Sequence, residues 1–125
     1  MPVKLARTFR LLPAGLSLGL LWAIGAVAHV FPVRALPAAG ATAPEPVPQV
    51  QIWFDGALEP GFSKVRVVNA AGEPVDSGDA RLNADDPSVL EVSLPPLPPG
   101  GYHVYWTAFA RDGHATQGDF GFKIR

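Results

Sequence analysis

Short segments of the chain alternate apolar and polar residues with a period of two. Residues 49–54 have the sequence QVQIWF, and residues 64–68 and 89–94 repeat the alternation. A β-strand turns successive side chains to opposite faces, so this period predicts strands with one buried face. The middle of the chain is therefore predicted to contain several half-buried strands.

Two further strands are predicted near the C-terminus. Residues 102–109 form the longest run of aromatic and β-branched residues, and residues 119–124 place three apolar side chains on one face. Residues 69–72 (NAAG) predict a tight turn, and the proline-rich residues 95–101 end a strand because proline cannot donate to a sheet ladder. No segment has a helical period, so about six or seven short strands predict an all-β fold, a two-sheet sandwich or a Greek-key barrel.

The first 28 residues have the three parts of a secretory signal. Three of the ten Lys and Arg residues lie in the first ten positions, residues 11–28 are uncharged, and this stretch ends on the small residues Ala26 and Ala28. Such a segment is an export signal that a peptidase removes, so we predict cleavage after Ala28. The alternative is an uncleaved membrane anchor, because the uncharged stretch approaches the length that spans a bilayer.

Cleavage would leave residues 29–125, a chain of 97 residues with 7 Lys and Arg against 11 Asp and Glu. The net charge would change from −1 for the whole sequence to −4, with histidine neutral. Nucleic-acid binders carry a basic stripe or arm, so this acidic domain is not expected to bind nucleic acid. Its length is sufficient for one domain with its own core.

The predicted mature chain contains no sulfur ligand. The sequence has no Cys, and Met1 is its single Met. Disulfides, thiol catalysis and thiolate metal sites are therefore excluded, and a metal site in the mature chain has to use nitrogen and oxygen donors. The three histidines are His29, His103 and His114.

His29 would become the first residue of the cleaved chain. A terminal amine and the imidazole of the same residue can close one chelate ring, and a second imidazole with a carboxylate completes a square typical of Cu(II). Asp112 and His114 supply these groups on one side of an extended segment, and Gly113 lets the backbone approach an ion. Asp-Gly is also a common turn pair, so the hypothesis depends on His29 as a second, independent observation.

Other candidate chemistry has a simpler structural interpretation. His103 is interpreted as a surface or half-buried strand histidine. Four large aromatic residues are interpreted as core and strand-pair packing rather than a ligand platform: Trp53, Phe54, Tyr102 and Trp106. Four aspartates lack the spacing of a calcium loop and are interpreted as solvated turn residues: Asp76, Asp79, Asp85 and Asp86.

Several motifs resemble the CopC family of exported copper-binding proteins. Residues 28–30 (AHV) resemble the start of the mature family chain, and residues 58–63 (LEPGFS) and 97–102 (LPPGGY) resemble later segments. The most specific likeness is the DGH of residues 112–114 followed by GDFGF at 118–122, which resembles the family's Asp-Gly-His-Pro and Gly-x-Phe-x-Phe ending. The likeness covers nearly the whole mature chain.

The resemblance implies an immunoglobulin-like, seven-stranded Greek-key β-barrel in the periplasm that binds one Cu(II) ion. The implied ligands are the amine and imidazole of His29, the Asp112 carboxylate and the His114 imidazole. The family's role in copper homeostasis and resistance implies a copper ion and a CopD-type inner-membrane protein as partners. The protein is expected to be a monomer and not an enzyme.

Three features depart from the family pattern. Residues 64–90 contain neither Met nor His, whereas family members with a Cu(I) site have both there, so a site for Cu(II) alone is implied. Gly56 stands where many members have a Glu near the copper. Ala115 follows His114 where a Pro is usual.

Two other functions are alternatives. An N-terminal His with a second His also holds copper in oxygen-activating oxidases of the histidine-brace type, although a carboxylate ligand would stabilise Cu(II) and oppose redox cycling. A metal-free immunoglobulin-like interaction module would need only exposed sheet edges.

Overall fold

The computed structural model describes Pro2 and residues 29–44 and 46–125. Apart from Pro2, the predicted signal at residues 1–28 lies outside the described residues. No helix in the described part of the chain is long and apolar enough to cross a membrane. This part forms eight strands: β1 (Pro32–Leu36), β2 (Thr42–Ala43), β3 (Gln49–Phe54), β4 (Lys64–Asn69), β5 (Arg81–Leu82), β6 (Val89–Ser93), β7 (Gly100–Phe109) and β8 (Ala115–Ile124).

The strands form two four-stranded sheets with the orders β1-β3-β6-β5 and β2-β8-β7-β4. The chain passes from β1 in the first sheet to β2 in the second over residues 37–41, which begin with a cis Leu36–Pro37 bond. Because β1 and the short β2 are edge strands that follow each other in the chain, they can be counted as two halves of one initial strand. Counted in this way, seven strands have the sheet arrangement of an immunoglobulin domain. The predicted all-β, immunoglobulin-like sandwich is confirmed.

The alternation of residue types places the core between the sheets, as β3 illustrates. Val50, Ile52 and Phe54 are buried, whereas the residues between them are half-buried on the outer face. One of these is Trp53, which is covered by the Arg34 guanidinium 4.4 Å above its ring, a cation–π contact. Of the four aromatic residues predicted to pack, the other three are in the core.

Tyr102 anchors the proline-rich segment that precedes β7. Its hydroxyl donates a hydrogen bond to the Pro98 carbonyl at 2.6 Å, and its ring stacks on Phe122 with centroids 5.6 Å apart. A tyrosine at the start of this strand makes the same kind of bond in immunoglobulin-like sandwiches. The segment therefore ends one strand and is fixed to the next.

Asp76 differs from the solvated turn residue that was expected. Its side chain is only 2% exposed, and its Oδ2 accepts a hydrogen bond from the Val67 amide at 2.9 Å. The Arg66 Nε lies 3.3 Å from the same oxygen, and Oδ1 accepts from the Gly78 amide at 2.9 Å. β4 is the edge of its sheet, so the outward-facing Val67 amide has no partner strand. The Asp76 carboxylate accepts its hydrogen bond instead.

Residues 29–31, which precede β1, and the loop between β7 and β8 lie at one end of the sandwich. Pro32 pairs with Phe54, which places the chain before β1 beside the chain after β3. Leu58 forms a bridge with Ala110, so the segment after β3 also contacts the β7–β8 loop. The predicted metal ligands lie in these segments.

Candidate metal centre

A tight turn between β7 and β8 presents Asp112 and His114. The Gly113 amide donates to the Ala110 carbonyl at 3.0 Å, and the Ala110 amide donates to the His114 carbonyl at 2.9 Å. Gly113 has a φ of +89°, a conformation that glycine adopts without the steric penalty of a Cβ. The backbone conformation of the turn therefore accounts for the glycine at position 113 of the DGH motif.

Asp112 and His114 are bonded to each other in two ways. Oδ1 accepts a hydrogen bond from the His114 amide at 3.0 Å, and Oδ2 lies 3.1 Å from Nδ1 of the His114 ring. The 3.1 Å contact is of hydrogen-bond length, and such a contact can orient an imidazole that binds an ion through its other nitrogen.

The His29 ring lies beside the His114 ring although the two residues are far apart in sequence. The ring centroids are 5.6 Å apart and the planes are inclined at 65°. Two imidazoles that bind one ion through bonds of about 2 Å have centroids roughly 4 to 6 Å apart, depending on the angle between the bonds. The observed separation fits a shared ion.

Side-chain contacts and one backbone hydrogen bond, rather than a continuous strand ladder, hold residues 29–31. The Val30 side chain is buried in the core, and the Val30 carbonyl accepts a hydrogen bond from Oγ1 of Thr116 at 2.7 Å. The Phe31 amide donates to Oδ1 of Asp55 at 2.8 Å, and the Asp55 amide donates to the Phe31 carbonyl at 2.9 Å. These contacts determine where His29 lies.

Asp55 and Thr116 were not among the sequence candidates. Thr116 lies in β8, two residues beyond His114, so an extended chain would place the two side chains on the same side. Asp55 directly follows β3, which ends at Phe54, and only the pairing of β1 with β3 brings it to Phe31. Thr116 therefore had a weak signal in the sequence, whereas the position of Asp55 depends on tertiary structure.

Gly56 also contacts the segment that carries His29. A Cβ added at this position would come 3.1 Å from Cγ1 of Val30, which is closer than side chains usually pack. Position 56 is therefore beside Val30, the residue that follows His29.

The three predicted ligands lie at one end of the sandwich, with His114 as the common neighbour of the other two. Within residues 29–44 and 46–125, however, no group of three His, Asp or Glu side chains is arranged to hold a metal ion. Ala28 precedes His29 in the full sequence, so the His29 backbone nitrogen there is an amide. The terminal amine required by the predicted chelate arises only on cleavage.

His103 is separate from this cluster. Its Nε2 lies 2.5 Å from Oδ2 of Asp119 on the neighbouring strand β8, and its side chain is 38% exposed. His103 is paired with Gly121, toward the end of β7 opposite the Asp112 loop. The interpretation as a half-buried strand histidine agrees with this position.

The fold and this cluster define a small immunoglobulin-like β-sandwich that carries histidine and aspartate side chains at one end. The chain belongs to the CopC domain family, whose model matches residues 33–125. His29 lies just before the matched range. The resemblance noted in the short motifs is thereby confirmed.

Two curated relatives differ in how much of their length corresponds to this chain. The copper transport protein CutJ of Bacillus subtilis (strain 168) is 31% identical over 98 residues, which cover 78% of this chain but only 18% of CutJ. Protein YobA of Escherichia coli (strain K12) is 30% identical over 99 residues, which cover 78% of this chain and 80% of YobA. The chain therefore corresponds to about four-fifths of one relative and to less than one-fifth of the other.

Solved structures have the same fold. CopC from Methylosinus trichosporium OB3b superposes with a TM-score of 0.71 at 31% identity, over 77% of this chain and 93% of that one. PcoC, a methionine-rich copper resistance protein from Escherichia coli, superposes with a TM-score of 0.69 at 26% identity, over 78% of this chain and all of that one.

Proposed function

We propose that the protein is an exported Cu(II)-binding protein that serves copper homeostasis or resistance. The observation that carries the proposal is the 5.6 Å approach of the His29 and His114 rings, which the sequence predicts as ligands of one ion. The ligands are the amine and imidazole of His29, the Asp112 carboxylate and the His114 imidazole. Relatives named for copper transport and copper resistance support the choice of metal.

The donor set favours Cu(II) over Cu(I). Nitrogen and oxygen ligands suit Cu(II), whereas thiolate and thioether ligands select Cu(I). PcoC is described as methionine-rich, but Met1 is the single Met of this sequence and Cys is absent from it. The absence of sulfur from residues 29–125 supports a site for Cu(II) alone.

Export and cleavage complete the site. Removal of residues 1–28 after Ala28 converts the His29 amide nitrogen into an amine, and residues 29–125 then form the copper-binding domain. The charged start and small-residue ending of the first segment support export to the periplasm. We expect the mature domain to be a monomer that exchanges copper with a CopD-type inner-membrane protein.

The proposed role is binding rather than catalysis. Asp112 lies 3.1 Å from Nδ1 of His114, and a carboxylate in the ligand set stabilises Cu(II) against reduction. The histidine-brace oxidase alternative requires repeated cycling between Cu(II) and Cu(I), which this carboxylate opposes.

Copper titration of the mature 97-residue form tests the proposal. We expect one Cu(II) ion with a tetragonal, nitrogen-rich electron paramagnetic resonance (EPR) spectrum, and loss of this species in His114→Ala. A matched form with one glycine added before His29 keeps every side chain but moves the amine, so it should bind far more weakly. Unchanged affinity in that form would overturn the ligand assignment.

The intact mass of the protein recovered from the periplasm tests the cleavage site. A mass corresponding to residues 29–125 is the expected result. A mass that retains Ala28 would remove the terminal amine from His29 and contradict the proposed chelate.

A further inference from the structure

We propose that Thr116 and Asp55 are positioning residues of the copper site. They hold the backbone of residues 29–31 so that the amine and imidazole of His29 reach the same ion as His114. The inference rests on the proposed copper-binding function, because it assigns a role in that same site.

The amine that closes the chelate belongs to the backbone, so its position cannot be adjusted by a side-chain rotamer alone. β1 begins at Pro32, whose first ladder partner is Phe54. Residues 29–31 precede this ladder, and a proline nitrogen has no hydrogen to donate. Another interaction has to fix the segment that carries the amine.

Thr116 and Asp55 bond the two sides of a single peptide unit. The carbonyl of Val30 accepts from Oγ1 of Thr116 at 2.7 Å, and the amide of Phe31, which belongs to the same peptide unit, donates to Oδ1 of Asp55 at 2.8 Å. A peptide unit is planar, so two bonds at its opposite edges restrict its rotation. The dihedral angles that aim His29 are thereby restrained.

Thr116 also connects the two segments that carry ligands. It lies two residues after His114, and its hydroxyl reaches the residue that follows His29. Asp55 adds a second bond to the same segment, because its amide donates to the Phe31 carbonyl at 2.9 Å. One hydroxyl and one carboxylate therefore set the distance between the His29 and His114 rings.

A purely structural role of Thr116 leads to a different expectation. The Val30 side chain is 4% exposed and belongs to the core, so it alone could anchor the segment to the fold. In that case, loss of the Thr116 hydroxyl would lower thermal stability slightly and leave the copper spectrum unchanged. A positioning role requires a change in the coordination of the metal.

The test compares Thr116→Val with Thr116→Ser in the mature 97-residue form. Valine has nearly the same shape as threonine but no hydroxyl, and we expect Cu(II) affinity to fall by about 10-fold or more, the size typical of lost outer-shell partners of metal ligands. The EPR spectrum should then contain a second species with fewer nitrogen ligands. Thr116→Ser keeps the hydroxyl and should restore a single species.

Thr42→Val is the matched control. Thr42 is exposed in β2 and pairs with Lys123, near the end of β8 that is distant from His114. We expect wild-type affinity and spectrum for this variant. If Thr116→Val also binds Cu(II) with wild-type affinity and spectrum, the positioning role of Thr116 is overturned.

Asp55 is tested separately because its charge could also attract the metal. Asp55→Asn keeps an oxygen acceptor and removes the charge, so we expect it to bind Cu(II) nearly as the wild type does. Asp55→Ala removes the acceptor and should weaken binding by about 10-fold. If both variants weaken binding equally, Asp55 acts through its charge and the bond to Phe31 is not responsible.

The two proposals fail in distinguishable ways. If the wild type shows no nitrogen-rich Cu(II) species, or if His114→Ala binds as the wild type does, the proposed function itself is wrong. If those results are as expected but Thr116→Val and Asp55→Ala match the wild type, only the positioning role is overturned.

Discussion

The carboxylate of Asp112 contacts His114 through both of its oxygens: Oδ1 accepts from the backbone amide at 3.0 Å, and Oδ2 lies 3.1 Å from the ring Nδ1. The turn around Gly113 makes both contacts possible, because it returns the chain within three residues. Asp112 and His114 therefore form one preassembled unit. His29 lies beside this unit although it comes from the opposite end of the domain's sequence.

The first expectation concerns the role of Asp112. We expect Asp112→Ala to weaken Cu(II) binding by about 10- to 100-fold, because a carboxylate ligand and the orientation of the His114 ring are lost together. Asp112→Asn keeps an oxygen that can accept from His114 but loses the negative charge. Its EPR spectrum should change if the carboxylate is a ligand, and an unchanged spectrum would show that Asp112 only orients the imidazole.

The second expectation concerns Gly56, which lies against Val30. Gly56→Glu would place a carboxylate beside the His29 segment, and we expect severalfold tighter Cu(II) binding in a competition titration, because opposite charges attract at short range. Any side chain here crowds Cγ1 of Val30 at 3.1 Å, at a cost of about 1 kcal/mol. Gly56→Gln shares the crowding without the charge, so equal tightening in that variant would contradict an electrostatic effect.

The third expectation concerns Gly118, over which the Trp106 indole packs. A Cβ at Gly118 would lie 2.6 Å from Cζ2 of Trp106, and the indole also packs edge-on with Phe54 at a centroid distance of 5.2 Å. Gly118→Ala should therefore lower the free energy of unfolding by about 1 to 3 kcal/mol, measured by urea denaturation. At Gly101 a Cβ would meet nothing within 4 Å, so Gly101→Ala is the control, and equal losses in both variants would contradict the steric argument.

The fourth expectation concerns the acid stability of the loop before β6. The Ser88 hydroxyl donates to Oδ1 of Asp86 at 2.6 Å and the Ser88 amide donates to the same atom at 2.9 Å, and these bonds lower the pKa of the Asp86 carboxyl. A lowered pKa means that Asp86 stabilises the fold above the unfolded value of about 3.9 and that this stabilisation is lost as the pH falls through the folded value.

Ser88→Ala removes the hydroxyl hydrogen bond to Asp86, which lowers the pKa of Asp86 more than the bond from the Ser88 amide does. We expect the pKa of Asp86 to rise toward its ordinary range in a carboxyl NMR titration, with less stabilisation left at acidic pH. The pKa of Asp79 is lowered mainly by Ser93 and should not change in this variant, which makes Asp79 an internal control. A pKa of Asp86 that does not move would contradict the assigned cause.

The strands with regular alternation could be predicted closely from the sequence. Residues 49–54 were predicted from their pattern and form β3 with the same bounds, because burial of every second side chain is a local property of an extended chain. The two-residue strands β2 and β5 had no such pattern. They exist because longer neighbours provide a ladder to pair with.

The candidate site divides in the same way. The residue types and the DGH spacing identified Asp112 and His114 because a turn and its two side chains are local. The contact between His29 and His114 joins segments that are 85 residues apart and has no local pattern. Outside the site, the burial of Asp76 was not predicted for the same reason, since its partner Val67 belongs to a different segment, the edge strand β4.

By itself, the sequence determined the class of fold, and it predicts an export signal at residues 1–28 and a metal site with nitrogen and oxygen donors. Only the tertiary structure decided that His29 lies beside His114. It also decided that Thr116 and Asp55 form hydrogen bonds with the peptide unit between Val30 and Phe31. These contacts join residues that are distant in the chain. The contacts of Val30 with Thr116 and of His29 with His114 depend on the packing of the two sheets, and the contact of Phe31 with Asp55 depends on the pairing of β1 with β3. No local pattern of residues encodes them.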